Sequence, residues 1–268
     1  MHGIGLSMEI PVGYLRRWTS WTELDFVLAH KVLDDTKYAS HYARRAAGRE
    51  LILDNSMHEL GYPLPVKMLL QAARKIDADY TIAPDQLKQP ERNREWFDQT
   101  YEMFMPLQRK VAVVMCGRDS RERVHFLEYV RNADMLCLPF REERLAWFRE
   151  HEVQIRSRWT RIHLLGVNEI EELRQFAQIA LEAPEMTWTV DTAKPIKWGV
   201  ALREMKTLDS PRGASLSSKD LLDLQYIRPS ALHVCDNNIA FLRSICQGEK
   251  VRIDQDSNSG FDRGETTI

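Results

Sequence analysis

Three apolar runs in this chain each end in an aspartate: LILDNSMHELG at Asp54, YTIAPDQ at Asp85 and MTWTVDTAKP at Asp191. Each run is short, rich in Leu, Ile, Val, Trp or Tyr, and closed by turn-forming residues. That is the pattern of a buried parallel strand. Carboxylates at the C-terminal ends of several such strands converge where an α/β barrel carries its chemistry. Crowding carboxylates at the mouth of a pocket costs electrostatic free energy, so a chain that does so usually uses them. One aspartate in such a place is accounted for by capping of the next helix. Three at corresponding places point to a site.

The elements that must hold these aspartates follow from the hydrophobic pattern. LDFVLAH (24–30), LILDN (51–55), DYTIAP (79–84), KVAVVMCG (110–117), ADMLCLPF (133–140), RIHLLG (161–166) and MTWTVD (186–191) read as strands. Helical stretches separate them, the clearest being VKMLLQAARKI, with Val66, Leu69, Leu70 and Ala73 on one face behind Pro63 and Pro65. Alternation at these spacings suits βα units, and right-handed crossovers place the helices outside a parallel sheet. No Gly-rich dinucleotide fingerprint follows the first strand, which favours a closed barrel over an open doubly wound sheet. The expected fold is α/β, a single (β/α)₈ TIM-like barrel over residues 1–254, with its eighth strand unassigned. SALHVC (230–235) either supplies that strand or begins the helix that runs through NNIAFLRSIC. Residues 210–220 read as a surface loop with LLDLQYI a short helix behind it, and residues 255–268 as a flexible tail.

A length of 268 residues fits one barrel or two small domains. Apolar residues make up 44%, enough for a large core, yet no apolar stretch approaches the roughly 18 residues that cross a bilayer. No membrane partner is expected. Cys116 and Cys137 lie in strand-like runs, as packed thiols do, and the N-terminus lacks a secretory pattern, so the expected compartment is the cytoplasm. A net charge of −2 argues against a protein that coats nucleic acid nonspecifically, though not against a local basic face. Three basic clusters stand out: Arg44, Arg45 and Arg49; Arg156, Arg158 and Arg161; and Arg16 and Arg17 beside Trp18 and Trp21. Each is either a solvated helix face or part of a phosphate-binding side.

Taken in order, FVLAH, LILDNSMHELG, DYTIAPD, VAVVMCG, RIHLLG and TVDTAKPI resemble the tRNA-guanine transglycosylase superfamily over roughly residues 24–198. The resemblance is greatest to its short phage-type, DpdA-like branch, which exchanges guanine in DNA for a 7-deazaguanine. It implies a glycosyltransferase that works by double displacement, with no metal and no redox cofactor. Asp191 then matches the nucleophile, Asp54 the acid/base and Asp85 the reader of the heterocycle's edge. The backbone at Cys116–Gly117 and Leu138–Pro139 completes the base pocket, with His163 and Gly166 on the neighbouring rim. The implied partners are DNA, double- or single-stranded, and a free 7-deazaguanine such as 7-cyano-7-deazaguanine. A partner protein or homo-oligomer is expected to share the grip on DNA, in the host cytoplasm if the gene is phage-encoded. Such an exchange needs a carboxylate to trap an oxocarbenium-like sugar, a second to move a proton and a third to accept from the amidine-like edge of the base.

Two departures bear on that reading. Cys116 stands where the transfer RNA enzymes carry a glutamine before the glycine, and a thiol lacks an amide's two hydrogen-bonding ends. In place of their Cys-rich zinc module stand only His233, Cys235 and Cys246, and a structural zinc needs four ligands, so no zinc is expected. Lys194 and Lys197 either hold phosphates or lie on a solvated loop. Asn55 and Ser56 either bond ribose or base, or cap the following turn. His58 and Glu59 either contact substrate or lie on the turn after Asp54, while Tyr14, Trp18 and Trp21 either stack on an extruded base or pack over the mouth. Rival functions on the same fold are guanine exchange on transfer RNA, hydrolysis or lysis of a small phosphorylated substrate, and nucleic-acid binding without catalysis.

Overall fold

In the computed structural model, residues 3–141, 143–167, 169–205 and 218–249 are described. Eight parallel strands form one sheet: β1 (Ile4–Leu6), β2 (Asp25–Leu28), β3 (Leu51–Asp54), β4 (Tyr80–Ile82), β5 (Lys110–Val114), β6 (Met135–Pro139), β7 (Arg161–Leu165) and β8 (Thr187–Val190). Their order is β1-β8-β7-β6-β5-β4-β3-β2. The helices between and after them are α1 (Leu15–Trp18), α2 (Ala29–Asp34), α3 (Thr36–Ala43), α4 (Met57–Leu60), α5 (Val66–Ile76) and α6 (Pro90–Phe104). They continue with α7 (Ser120–Tyr129), α8 (Arg144–Arg156), α9 (Ile170–Glu182), α10 (Lys194–Val200), α11 (Ser218–Leu222) and α12 (Pro229–Cys246).

The strands are apolar on both faces because both faces are covered. Phe26, Ile52, Tyr80, Ile82, Val114 and Cys137 meet in one cluster inside the barrel, while Val27, Leu53, Val113, Leu138, Leu164 and Val190 pack under the helices. Phe26 of β2 stacks on His163 of β7 at 5.1 Å between ring centroids and 7° between planes. Those strands are far apart in the sheet order, so the sheet must curl until its inner faces meet. Glu23 closes the seam. Its N–H donates to the Leu6 carbonyl and its Oε2 accepts from the Leu6 N–H, both at 3.0 Å. The barrel expected from the sequence is the fold observed.

The eighth strand lies at the opposite end of the chain from the candidate at 230–235. It is β1, which pairs Ile4 with Trp188 and Leu6 with Val190. Three residues between Gly3 and Ser7 are too few to show alternation, and the partner strand lies more than 180 residues away in sequence. Residues 230–235 belong to α12, which packs so closely on α10 that a Cβ at Gly199 would lie 2.3 Å from Cys235 Sγ. Of LLDLQYI, only Leu221 and Leu222 are helical, in α11. The expected tail 255–268 and most of the expected loop 210–220 lie outside the described residues. Helix α5 spans the range its sequence predicts. Val66, Leu69, Ala72, Ala73 and Ile76 are buried, and Asp77 ends it in the left-handed region at φ 55°.

The N-terminal end of the barrel is closed by matched charges. Arg161 pairs with Glu50 and lies 4.9 Å from the Tyr80 ring centroid, while Lys110 Nζ lies 4.8 Å from it. Arg49 donates to Asp25 Oδ1 at 2.7 Å and to the carbonyls of Thr22 and Leu24. Arg45 donates to the carbonyls of Ile76 and Asp77, and Arg158 pairs with Glu128. Most of the arginines in two of the basic clusters are thus engaged inside the protein. Trp18 is buried, donates from Nε1 to Asp236 of α12 at 2.8 Å and stacks on Tyr14 at 5.2 Å. The aromatic residues of the first loop therefore pack on the flank against α12. Neither reading made for Tyr14 and Trp18, base stacking or packing over the mouth, describes this contact.

Candidate active site

Asp54 ends β3, and the turn that follows fixes its direction. Its Oδ2 accepts from the Ser56 N–H at 2.6 Å. Ser56 adopts φ 63°, a region that residues other than glycine enter rarely and that here bends the chain back toward the carboxylate. Ser56 Oγ accepts from the His30 N–H at 3.1 Å and so ties the end of β2 to the end of β3. Asn55 Nδ2 donates to the Ala83 carbonyl and to Asp85 Oδ1, both at 2.8 Å, and its Oδ1 accepts from the Met57 N–H at 2.9 Å. Asn55 and Ser56 are therefore the brackets that set Asp54 and Asp85 beside each other.

Asp191, one residue beyond β8, is buried. Its Oδ1 accepts from the Gly166 N–H and from His163 Nε2, each at 3.1 Å. His163 Nδ1 lies 2.8 Å from Thr189 Oγ1. The Thr189 hydroxyl also lies 3.4 Å from the Ile162 carbonyl, so it bridges that carbonyl and the imidazole. Both ring nitrogens are thus occupied and the ring is stacked on Phe26, so His163 positions Asp191. Asp191 Oδ2 has no hydrogen-bond partner among the described residues.

The carboxylates press on one another. Burial pushes Asp54 well above the ordinary carboxylate range. Glu59, Asp191 and Asp85 push it further, against the Ser56 N–H. Glu59, on α4, is raised by burial and by Asp191, with its own backbone N–H, His58 and Lys197 opposing, and its Oε2 is buried with no hydrogen-bond partner. Burial pushes Asp85 up to about 6, against the hydrogen bond from Asn55. On the inner face of β6, the Cys137 thiol is raised by burial and then by Asp54, Asp85 and Asp191 together. One interior point therefore feels all three strand-end aspartates.

Other candidates take different places. Leu138 packs under the helices and its carbonyl accepts from Arg144 Nη1 at 3.2 Å, so it does not line the mouth. Cys116 is buried with Sγ 3.5 Å from the Gln86 carbonyl. Gly117 sits at φ 149°, where a Cβ would lie 2.6 Å from the Arg123 nitrogen. Gly166, at φ 68°, makes the turn that turns its N–H toward Asp191. Lys194 starts α10, and burial pushes its amine down to about 8, with Glu169 and Glu172 opposing. His58 and His233 are exposed, and Cys235 and Cys246 are buried along α12. Among the described residues, no three His, Cys, Asp or Glu side chains converge to hold a metal ion. The sequence reading gave no role to Thr189 or Arg141. Arg141 stands two residues past β6, and the strand-end criterion used for the aspartates finds it when applied to basic residues.

The chain is similar in structure to the YdjI aldolase from Escherichia coli K12, at 9% identity and a TM-score of 0.56, over 93% of each chain. It is also similar to a protein from Coccidioides immitis assigned as a fructose-1,6-biphosphate aldolase, at 11% identity and a TM-score of 0.51, again over 93% of each. A third is a D-allulose 3-epimerase from Methylomonas sp., at 8% identity and a TM-score of 0.50, over 91% of this chain and 99% of that one. Identities this low carry the fold alone. The sequence matches no protein-family model and no curated protein.

The resemblance to the tRNA-guanine transglycosylase superfamily is thereby corrected. The three similar barrels named above are two aldolases and an epimerase, and no family model matches the chain. The runs that suggested it are apolar strands closed by an acid or a glycine, which any parallel barrel with polar strand ends can contain in that order. The nucleophile and edge-reader roles for Asp191 and Asp85, and DNA and 7-deazaguanine as partners, lose their support with it.

Proposed function

We propose that this barrel is an enzyme of proton-transfer chemistry, a lyase or isomerase acting on a small, hydroxylated, phosphorylated substrate at the mouth. The observation that carries the reading is the burial of Asp54, Glu59 and Asp85 at the mouth, with Asp191 pressing on Asp54 and Glu59, which raises their proton affinity above the ordinary carboxylate range. A carboxyl group poised there can both take a proton and return it. In this scheme Asp54 removes the proton, from the carbon beside a carbonyl in an isomerase or from the β-hydroxyl in a lyase. Its own protonated form then returns that proton to carbon. Glu59 holds up the proton affinity of Asp54. Asp191 Oδ2 accepts from a substrate hydroxyl, its direction set by His163 and the Gly166 N–H. Aldol cleavage and epimerisation of sugars, the activities named for the similar barrels, both need this proton traffic, and one of those proteins is assigned to a sugar bisphosphate.

The test is incubation with a panel of ketose and aldose phosphates, followed by mass analysis and NMR for cleaved or isomerised products. Conversion by the wild type and its loss in Asp54→Asn support the reading. No conversion of any member, or conversion that survives Asp54→Asn, refutes it.

A second reading gives the carbonyl to Lys194, because burial pushes that amine down to about 8 and a larger share of it is neutral. Amine attack with loss of water would give a Schiff base, which cyanoborohydride reduces to a stable adduct. A substrate-dependent mass gain lost in Lys194→Gln would favour this route, and its absence would leave proton transfer by Asp54 alone.

A further inference from the structure

We propose that Arg141 and Arg123 form an anion subsite on the rim between β5 and β6, and that it takes the phosphate of the substrate. This rests on the reading of a phosphorylated substrate at the mouth. Arg141 lies two residues past β6 and Gly117 three residues past β5, so the pair stands at the same end of the barrel as Asp54 and Asp191. Arg141 Nη1 donates to the Gly117 carbonyl at 3.1 Å, whereas its Nε and Nη2 are buried with no acceptor among the described residues. Arg123, 5% exposed on α7, gives Nη2 to Glu143 Oε1 at 2.8 Å, and its Nε is also buried with no acceptor. Burial and then the charge of Arg123 push the Arg141 guanidinium below its ordinary range.

Glu143 offsets part of this charge, yet among the described residues three buried guanidinium donors still lack an acceptor, which is costly unless a further anion joins them. A planar guanidinium fork matches phosphate oxygens in pairs, which makes phosphate the fitting class of ligand. The place also suits the chemistry. The Cys116 thiol, two residues past β5, is raised chiefly by burial and feels the charges of both Asp85 and Arg141. Gly117 is required here, because a Cβ would meet the Arg123 backbone nitrogen at 2.6 Å and the Arg123 Cγ at 2.9 Å. Barrels often keep phosphate at the loops after the seventh and eighth strands. This one would hold it after the fifth and sixth strands instead, beside β7 on the same rim.

The probe is inorganic phosphate, titrated calorimetrically into the full chain at low ionic strength with no substrate present. Arg141→Gln should weaken binding roughly tenfold or more, and Arg141→Lys by less, since it keeps the charge and loses the fork. Glu143→Gln, at a half-exposed side chain, should tighten binding roughly severalfold because it frees Arg123. Lys194→Gln should leave the affinity nearly unchanged. Absence of phosphate binding overturns the subsite. So does an affinity that follows Lys194 rather than Arg141, or a Glu143→Gln chain that binds no tighter. The readout needs no turnover, so the two readings can fail separately. Phosphate binding that depends on Arg141, with no sugar phosphate converted, keeps the subsite and removes the acid–base function. Turnover of a phosphorylated substrate with KM unchanged in Arg141→Gln removes the subsite and keeps the function.

Discussion

At the N-terminal end of the barrel Arg49 reaches Asp25 at 2.7 Å and Arg161 meets Glu50, whereas at the mouth Asp54, Glu59 and Asp85 crowd round Asp191. Among the described residues, no salt bridge joins Asp54, Glu59 or Asp85 to a cation. The arginines do not divide so cleanly, since near the mouth Arg123 pairs with Glu143 at 2.8 Å and Arg144 with Glu172 at 2.6 Å, as at the other end Arg109 pairs with Asp77 at 2.8 Å and Arg45 with Asp79 at 3.2 Å; the strand-end carboxyls are what set the two ends apart. The fold is the same at both ends, and only the treatment of charge differs. Matched charges at one end stabilise the closed sheet, and that stability lets the other end hold groups in states they would not choose alone. Conservation of stability and storage of reactivity are separated along the barrel axis.

The comparison breaks most visibly in Asp54→Asn. Its turnover should fall by roughly a hundredfold or more, while its thermal midpoint holds or rises because a buried, repelled carboxyl is removed. A parallel loss of activity and midpoint would mean that Asp54 is structural. Arg49→Met should do the reverse. It strands Asp25, whose side chain is 2% exposed, and should lower stability by about 3 kcal/mol in urea unfolding, with kcat unchanged.

Asp85→Asn sharpens the contrast through pH. The folded-state value of about 6 lies above that of an unfolded aspartate, so the native chain binds the proton more tightly. Wild-type stability from this group is therefore full below about pH 4 and is lost as pH rises through about 6. Asp85→Asn should stabilise the fold by on the order of 2 kcal/mol at pH 8 and by little at pH 4. Denaturant midpoints at the two pH values measure this, and equal effects at both would deny that burial raises the group. Least of all should change in Leu138→Met, a volume-conserving swap under the helices that should cost less than about 1.5 kcal/mol and leave turnover alone.

Much of this was legible in the sequence, and the gaps have physical causes. A charged residue directly after an apolar run marks a strand end, which is why Asp54, Asp85 and Asp191 could be found and do share one mouth. His163 entered only as a rim residue implied by the family resemblance, and in the structure it is the neighbour that fixes Asp191. Leu138 was placed at the pocket only through the family resemblance; its side chain packs under the helices, and Cys137 is the inward residue of that strand. Strand β1 was missed because three residues carry no period. Arg141 was passed over because LPFREER reads as the start of a helix, so the basic residue at a strand end resembled surface charge. The family resemblance failed for a related reason. Ordered strand ends report the architecture, and the chemistry depends on contacts such as Asp54 with Glu59 that no linear motif encodes.

The central claim is that the crowded carboxyls at the mouth move a proton to and from carbon. Proton NMR in deuterium oxide tests it most directly, by following wash-in of deuterium beside the carbonyl of triose, pentose and hexose phosphates. The account predicts wash-in with at least one of them by the wild-type chain and its loss, by roughly a hundredfold or more, in Asp54→Asn. Wash-in with none of them, or at an undiminished rate in Asp54→Asn, would contradict it.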